Sequence, residues 1–131
     1  MKTFYLDTNY ILRFILADSK EQFIESKKLF QSGVEKKVRL VILSQIVFEL
    51  DFILRRVYKF NKAEVVNVIS TLFIIPTVKI SNAKLLLSAL EVYKGENLSL
   101  VDSYLHACAH ANNAKIATFD KKLRKLSVHA E

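Results

Sequence analysis

KTFYLDTNYILRF, residues 2–14, runs an apolar, strand-like segment into a bare carboxylate, Asp7, and follows it at once with Thr8, Asn9 and a second apolar segment. Residues 4–6 read as a short buried strand and residues 10–16 as a helix, which puts Asp7 at the strand's carboxyl end. A charge there is costly to bury unless a cation or a set of hydrogen-bond donors meets it. What meets Asp7 is therefore the question on which fold and function both turn.

Working outward, the same alternation recurs. Asp18 or Ser19 caps a helix running to about residue 36, with Phe23, Phe30 and Val34 on one side. Residues 38–43 are long enough for a second strand, and Ser44 opens a helix to about residue 57. Asn61 opens another, to about residue 73. Residues 78–80 read as a short strand, and Ser81 or Asn82 starts a helix ending near Gly95. Ser99 opens a helix to about residue 113. Residues 115–118 read as a strand, followed by a short helical turn and a last short strand near Ser127. With only 2 glycines and 1 proline in the chain, hairpins are few and long helices dominate. Strands alternating with helices imply an α/β fold whose parallel sheet is covered on both faces. In such sheets ligands bind beyond the carboxyl ends of the strands.

The 131 residues suit one domain over 1–131, and 51% apolar with 25% charged residues describes a globular chain rather than a disordered one. A net charge of +7 favours a polyanionic partner such as nucleic acid. The lone cysteine, Cys108, lies among alanines in HACAHA; it excludes an internal disulfide and a cysteine-based zinc cluster, and reads as a small buried residue in a reducing compartment. The longest uncharged stretch, residues 65–78, has 14 residues with Asn67, Ser70, Thr71 and Pro76 inside it. A membrane helix needs about 20 apolar residues. With no signal-peptide pattern at the start, a soluble cytoplasmic protein is expected.

Four of the 13 acidic residues stand out. Asp7 and Asp120 each follow a strand-like run, and each has the alternative of being a helix or turn cap. On the helix after Ser44, Ile46, Leu50, Ile53 and Val57 form the apparent core stripe. Glu49 falls at its edge, as a metal ligand or as a buried ion pair with Arg56, whereas Asp51 faces away beside Arg55. Asp102 lies in the first turn after Ser99, where the helix dipole alone favours a negative charge. His106, one turn on, is a solvent-edge residue or hydrogen-bond partner rather than a metal ligand, since oxygen-rich sites seldom recruit imidazole. Four carboxylates gathered at one sheet edge cannot all stay ionised without cations. Oxygen-only donors suit Mg²⁺ or Mn²⁺, ions that serve phosphodiester cleavage. A basic surface around an acidic pocket is what a nuclease needs. Basic residues cluster over 20–39, 55–62 and 121–125; Lys121, Lys122, Arg124 and Lys125, directly after Asp120, are either RNA-phosphate contacts or a solvated helix face.

YLDTNYILRF, LSQIVFELDFIL, NLSLVDSYLHACA and IATFDKKLRKL, in that order and spacing, resemble the PIN-domain ribonucleases, specifically the VapC-type toxins of toxin–antitoxin pairs. The resemblance spans nearly the whole chain. It implies a three-layer α/β/α domain with a central, mostly parallel sheet, and an endoribonuclease dependent on Mg²⁺ or Mn²⁺. By motif position it implies Asp7, Glu49, Asp102 and Asp120 as the acidic set. Asp7 and Asp102 would hold the principal ion, while Glu49 and Asp120 hold a second or orient the attacking water. Asn9, Ser44 and Thr118 would be polar supports. Where many relatives carry a further acid, this chain has Ser99, a helix cap that supplies no anionic ligand. The resemblance also implies a small antitoxin partner and a homodimer, with apolar residues in 14–30 and 58–73 available for either contact. Two alternatives stand beside it. One is a non-catalytic RNA-binding or scaffold version of the same fold. The other is an aspartate-based phosphoryl-transfer protein, against which Asn9 stands where a second aspartate is wanted.

Overall fold

The computed structural model describes residues 1–129, and the chain divides into two compact units, Met1–Ser81 and a second beginning at Asn82. The first unit carries a parallel sheet of order β1-β2-β3, formed by β1 (Thr3–Tyr5), β2 (Arg39–Ile42) and β3 (Val78–Ile80). Phe4 stands opposite Leu40 on one side of β2, and Ile42 opposite Ile80 on the other. Parallel neighbours need long crossovers, and helices supply them. α1 (Thr8–Leu16) and α2 (Lys20–Val34) join β1 to β2; α3 (Ser44–Arg56) and α4 (Lys62–Phe73) join β2 to β3.

Leu40 and Ile42 are fully buried together with Ile11 and Leu12 of α1, Val47, Leu50 and Leu54 of α3, and Val65 and Ile69 of α4. Phe14 stacks on Phe30 at 4.3 Å and lies 6.1 Å from Phe23, tying α1 to α2. Most of the apolar side chains that the sequence offered to a partner are therefore used inside this unit: the aromatic trio over 14–30, and Val65, Val66, Ile69 and Leu72 over 58–73. On α2 the buried positions are Ser26, Phe30 and Gly33, while Val34 is exposed. Gly33 is needed for close approach. A Cβ there would meet Leu40 Cδ1 at 2.9 Å and Thr77 Oγ1 at 3.1 Å, and the Thr77 hydroxyl already donates to the Gly33 carbonyl at 2.6 Å.

α4 begins in a full capping box: the Asn61 side chain accepts from the Glu64 N–H at 2.8 Å, and Glu64 accepts from the Asn61 N–H at 2.9 Å. Asn61→Ala is expected to cost about 1 kcal/mol and Asn61→Asp much less, as read by urea denaturation, because only alanine removes the acceptor.

The second unit is helical: α5 (Ala83–Gly95), α6 (Leu100–Ala111) and α7 (Lys121–His129). Buried Leu86, Ala89, Leu90 and Tyr93 repeat on α5 at helical spacing, and Leu100, Ser103 and Ala107 do so on α6; the two helices pack along one another. Two sequence expectations fail here. Residues 115–118 carry strand-like residues, but among the described residues they form no ladder. A strand exists only through a partner's hydrogen bonds, which a local pattern does not supply. Ser127 lies inside α7 rather than on a last strand, and its hydroxyl donates back to the Leu123 carbonyl as helix geometry allows. Among the described residues, no helix is long and apolar enough to cross a membrane.

Candidate functional site

Leu6 is buried and its N–H still joins the sheet, donating to the Val41 carbonyl at 3.0 Å. The next residue leaves the ladder. Asp7 is the N-cap of α1, in extended conformation, and its Oδ1 accepts from the Tyr10 N–H at 2.8 Å. The cap reading of Asp7 is thus correct, and it occupies one carboxylate oxygen only. Among the described residues, no ion pair reaches Asp7. The arginine lining the same cleft, Arg13, is paired with Asp18 at 3.0 Å and reaches Tyr58 with its other terminal nitrogen. What meets Asp7 within the unit is the amino end of a helix and solvent.

Asp7 lines two adjoining clefts. One, of about 380 Å³, is bounded by Asp7, Asn9, Tyr10, Arg13, Gln22 and Glu25. The other, of about 610 Å³, runs along β1 past Tyr5 and Asp7 to Lys28, Leu29 and Ser32. Asn9 lines the first cleft together with Asp7. Glu25 and Tyr10 were missed. Burial and the neighbouring Glu25 charge both raise the Tyr10 pKa, and its hydroxyl donates to the Glu25 carbonyl at 3.5 Å. The signal was available: Gln22, Glu25, Leu29 and Ser32 recur at helical spacing on α2, forming a stripe beside the apolar one.

Glu49 corrects the reading of α3. The buried positions are Ser44, Val47, Leu50 and Leu54, so the stripe is rotated from Ile46, Ile53 and Val57, and Val57 is 61% exposed. At 100° per residue Glu49 then points away from the core, and it is exposed rather than buried; among the described residues it has no ion pair with Arg56. Asp51 is the half-buried acid of the pair. Ser44 is buried, with its N–H donating to Ser81 Oγ at 2.7 Å, so it fixes the start of α3.

In the second unit, Ser99 caps α6: its Oγ accepts from the Asp102 N–H at 3.0 Å, and its carbonyl accepts from the Ser103 hydroxyl at 2.8 Å. Asp102 is half-buried in the first turn. His106 lies over His110 with ring centroids 6.1 Å apart, and among the described residues it makes no hydrogen bond to Asp102. Asp120 mirrors Asp7. Its Oδ1 accepts from the Leu123 N–H at 2.8 Å, while its own N–H donates to Thr118 Oγ1 at 3.0 Å. Lys121, Lys122 and Lys125 are exposed, whereas Arg124 turns its guanidinium back onto the Thr118 carbonyl through two nitrogens.

Asp7, Glu49, Asp102 and Asp120 share one property: none forms an ion pair among the described residues. Unpaired, oxygen-only donors fit a hard divalent cation chemically. Among the described residues, however, no group of three or more His, Cys, Asp or Glu side chains is gathered to hold a metal ion.

The signature of the PIN domain matches residues 4–128, from the first strand into the last helix. The chain belongs to the PIN-domain family. The family's architecture is a three-layer α/β/α fold with a central, mostly parallel sheet, and its members are generally linked to nuclease activity. Comparison with curated proteins and with solved structures gives no match. Within the PIN domain, Asp7 and Glu49 are supplied by the first unit and Asp102 and Asp120 by the second.

Proposed function

We propose that this PIN domain is a metal-dependent endoribonuclease and the toxin of a type II toxin–antitoxin pair, of the VapC type. The observation that carries the nuclease reading is the state of the four acids: Asp7, Asp102 and Asp120 sit at helix starts and Glu49 on the exposed face of α3, and among the described residues none is paired with a cationic side chain. Caps and the helix dipole account for the placing of Asp7, Asp102 and Asp120, but not for the acid at Glu49 in the motif order shared with the family.

Asp7, Glu49, Asp102 and Asp120 would hold Mg²⁺ or Mn²⁺, which supplies a lowered pKa for the attacking water and charge stabilisation on the phosphate. The chain's own contributions are orientation and attraction. The α1 and α7 amino termini fix one oxygen of Asp7 and of Asp120, leaving the other directed by that constraint. Ser99 and Thr118 hold the backbone on which Asp102 and Asp120 sit. The +7 charge draws RNA to the surface, and exposed Lys121, Lys122 and Lys125 offer phosphate contacts beside Asp120. The antitoxin and a homodimeric state belong to the same proposal. Exposed Ile24 and Tyr58 are the apolar residues left for such contacts in the two regions named.

Incubation of total cellular RNA with the purified chain tests the activity. Cleavage with Mn²⁺, stopped by chelator and missing from Asp102→Asn prepared alongside, is the expected result. A second reading, a non-catalytic RNA-binding or scaffold PIN domain, draws on the lack of a gathered three-donor group among the described residues. Calorimetric titration with Mn²⁺ separates the two, since only the nuclease binds the ion.

A further inference from the structure

Phe119 is the most exposed large apolar side chain described, at 98% of its full surface. Single exposed apolar residues need no explanation as a rule. This one differs because the backbone on both sides of it is held. Thr118 is fixed through its carbonyl by Arg124 and through its hydroxyl by the Asp120 N–H. Asp120 is fixed by the Leu123 N–H on its Oδ1 and by the Arg124 N–H on its carbonyl at 3.0 Å. Leu123, at 2% exposure, anchors the helix that follows. The ring is thus presented to solvent from a braced corner, one residue from a candidate catalytic carboxylate. Three exposed lysines follow it, Lys121, Lys122 and Lys125, unpaired among the described residues.

We propose that Phe119 is a stacking platform that seats one nucleobase of the RNA beside Asp120 while the α7 lysines hold the flanking phosphates. The proposal rests on the ribonuclease reading and adds to it a residue that determines which nucleotide lies next to the cut. An aromatic face beside cationic side chains is how proteins hold unpaired nucleotides, because every base offers a π-face whatever its sequence. The brace matters as well: with the backbone on both sides already held, only the side-chain rotamers of Phe119 are left to order when a base covers the ring. Charge complementarity selects RNA over a second copy of the chain, since four basic residues at 121–125 would meet the same four in a symmetric contact.

The chain contains no tryptophan, so Phe119→Trp installs a single reporter at the site. Its emission is to be followed, in chelator and therefore without cleavage, as single-stranded oligoadenylate is added. Saturable quenching is expected, with no response to inorganic polyphosphate and none from Ile74→Trp, a reporter at another exposed position. Phe119→Ala is expected to weaken oligonucleotide binding roughly tenfold, and Phe119→Tyr by less than about twofold. Equal quenching by polyphosphate, or equal quenching of the Ile74 reporter, would overturn the proposal. So would emission that changes with protein concentration alone, which would mark Phe119 as a contact between copies. Because binding is read without metal, an inactive enzyme that still quenches refutes the nuclease reading alone, and an active one that does not quench refutes the stacking alone.

Discussion

Asp7→Asn is expected to shift its melting temperature by no more than a few degrees and to lose Mn²⁺-dependent RNA cleavage by at least ~10²–10³-fold, the scale for removing one preorganised electrostatic contact with a transition state. The two halves of this result come from the two oxygens. Oδ1 caps α1 through the Tyr10 N–H, and an asparagine carbonyl accepts that bond nearly as well as aspartate does. The negative charge, which no cationic side chain among the described residues uses, is the part that asparagine lacks. Asp7→Ala removes cap and charge together, and should lose the activity plus about 1 kcal/mol of stability. Full activity in Asp7→Asn, with alanine merely less stable, would reduce Asp7 to a cap. Asp102→Asn offers an independent arm. It leaves the Ser99 cap intact, because that bond uses the Asp102 N–H; loss of a favourable charge at a helix start should cost about 0.3–1 kcal/mol. Neither variant should gain much stability from relieved repulsion, since no three such groups are gathered among the described residues.

The elements with local causes were legible in the sequence. Asn61, Ser99 and Asp7 announce helix starts because a cap is a bond between near neighbours in the chain. The apolar runs at 4–6, 38–43 and 78–80 became the three parallel strands because helices of crossover length lie between them. The failures concern partners distant in sequence. Residues 115–118 have strand-like residues without a described ladder, and Ser127 lies in a helix whose leucine anchor, Leu123, was not given weight. Glu25 and Tyr10 were missed because their importance comes from lying beside Asp7, which α2 brings about and no local motif encodes. For the acids, position in the motifs was readable while environment was not: Glu49 and Asp51 exchanged places between core edge and solvent.

That exchange has one cause, the rotation of α3, and it yields the largest expected effect on stability. Leu54→Ala should cost about 2–5 kcal/mol, the range for emptying a fully buried leucine site, because Leu54 is 0% exposed beside Leu50 and Val47. Val57→Ala should stay within about 0.5 kcal/mol, as surface substitutions do, because Val57 is 61% exposed just past the end of the helix. The stripe of Ile46, Leu50, Ile53 and Val57 gives the opposite order, with Val57 as a core residue and Leu54 outside it. Both stripes contain Leu50, so that residue cannot decide between them; Leu54 and Val57 can. Thermal unfolding of the two variants would separate the alternatives, since the difference amounts to a melting shift on the order of 10 °C for a chain of this size. The outcome bears on the site as well as on the core. A helix that buries Val47, Leu50 and Leu54 must turn Glu49 outward, free to meet a cation. One that buries Ile53 and Val57 would draw Glu49 toward the core, where an unpaired carboxylate is costly. A stable Leu54→Ala with an unstable Val57→Ala would therefore remove Glu49 from the set of solvent-facing acids.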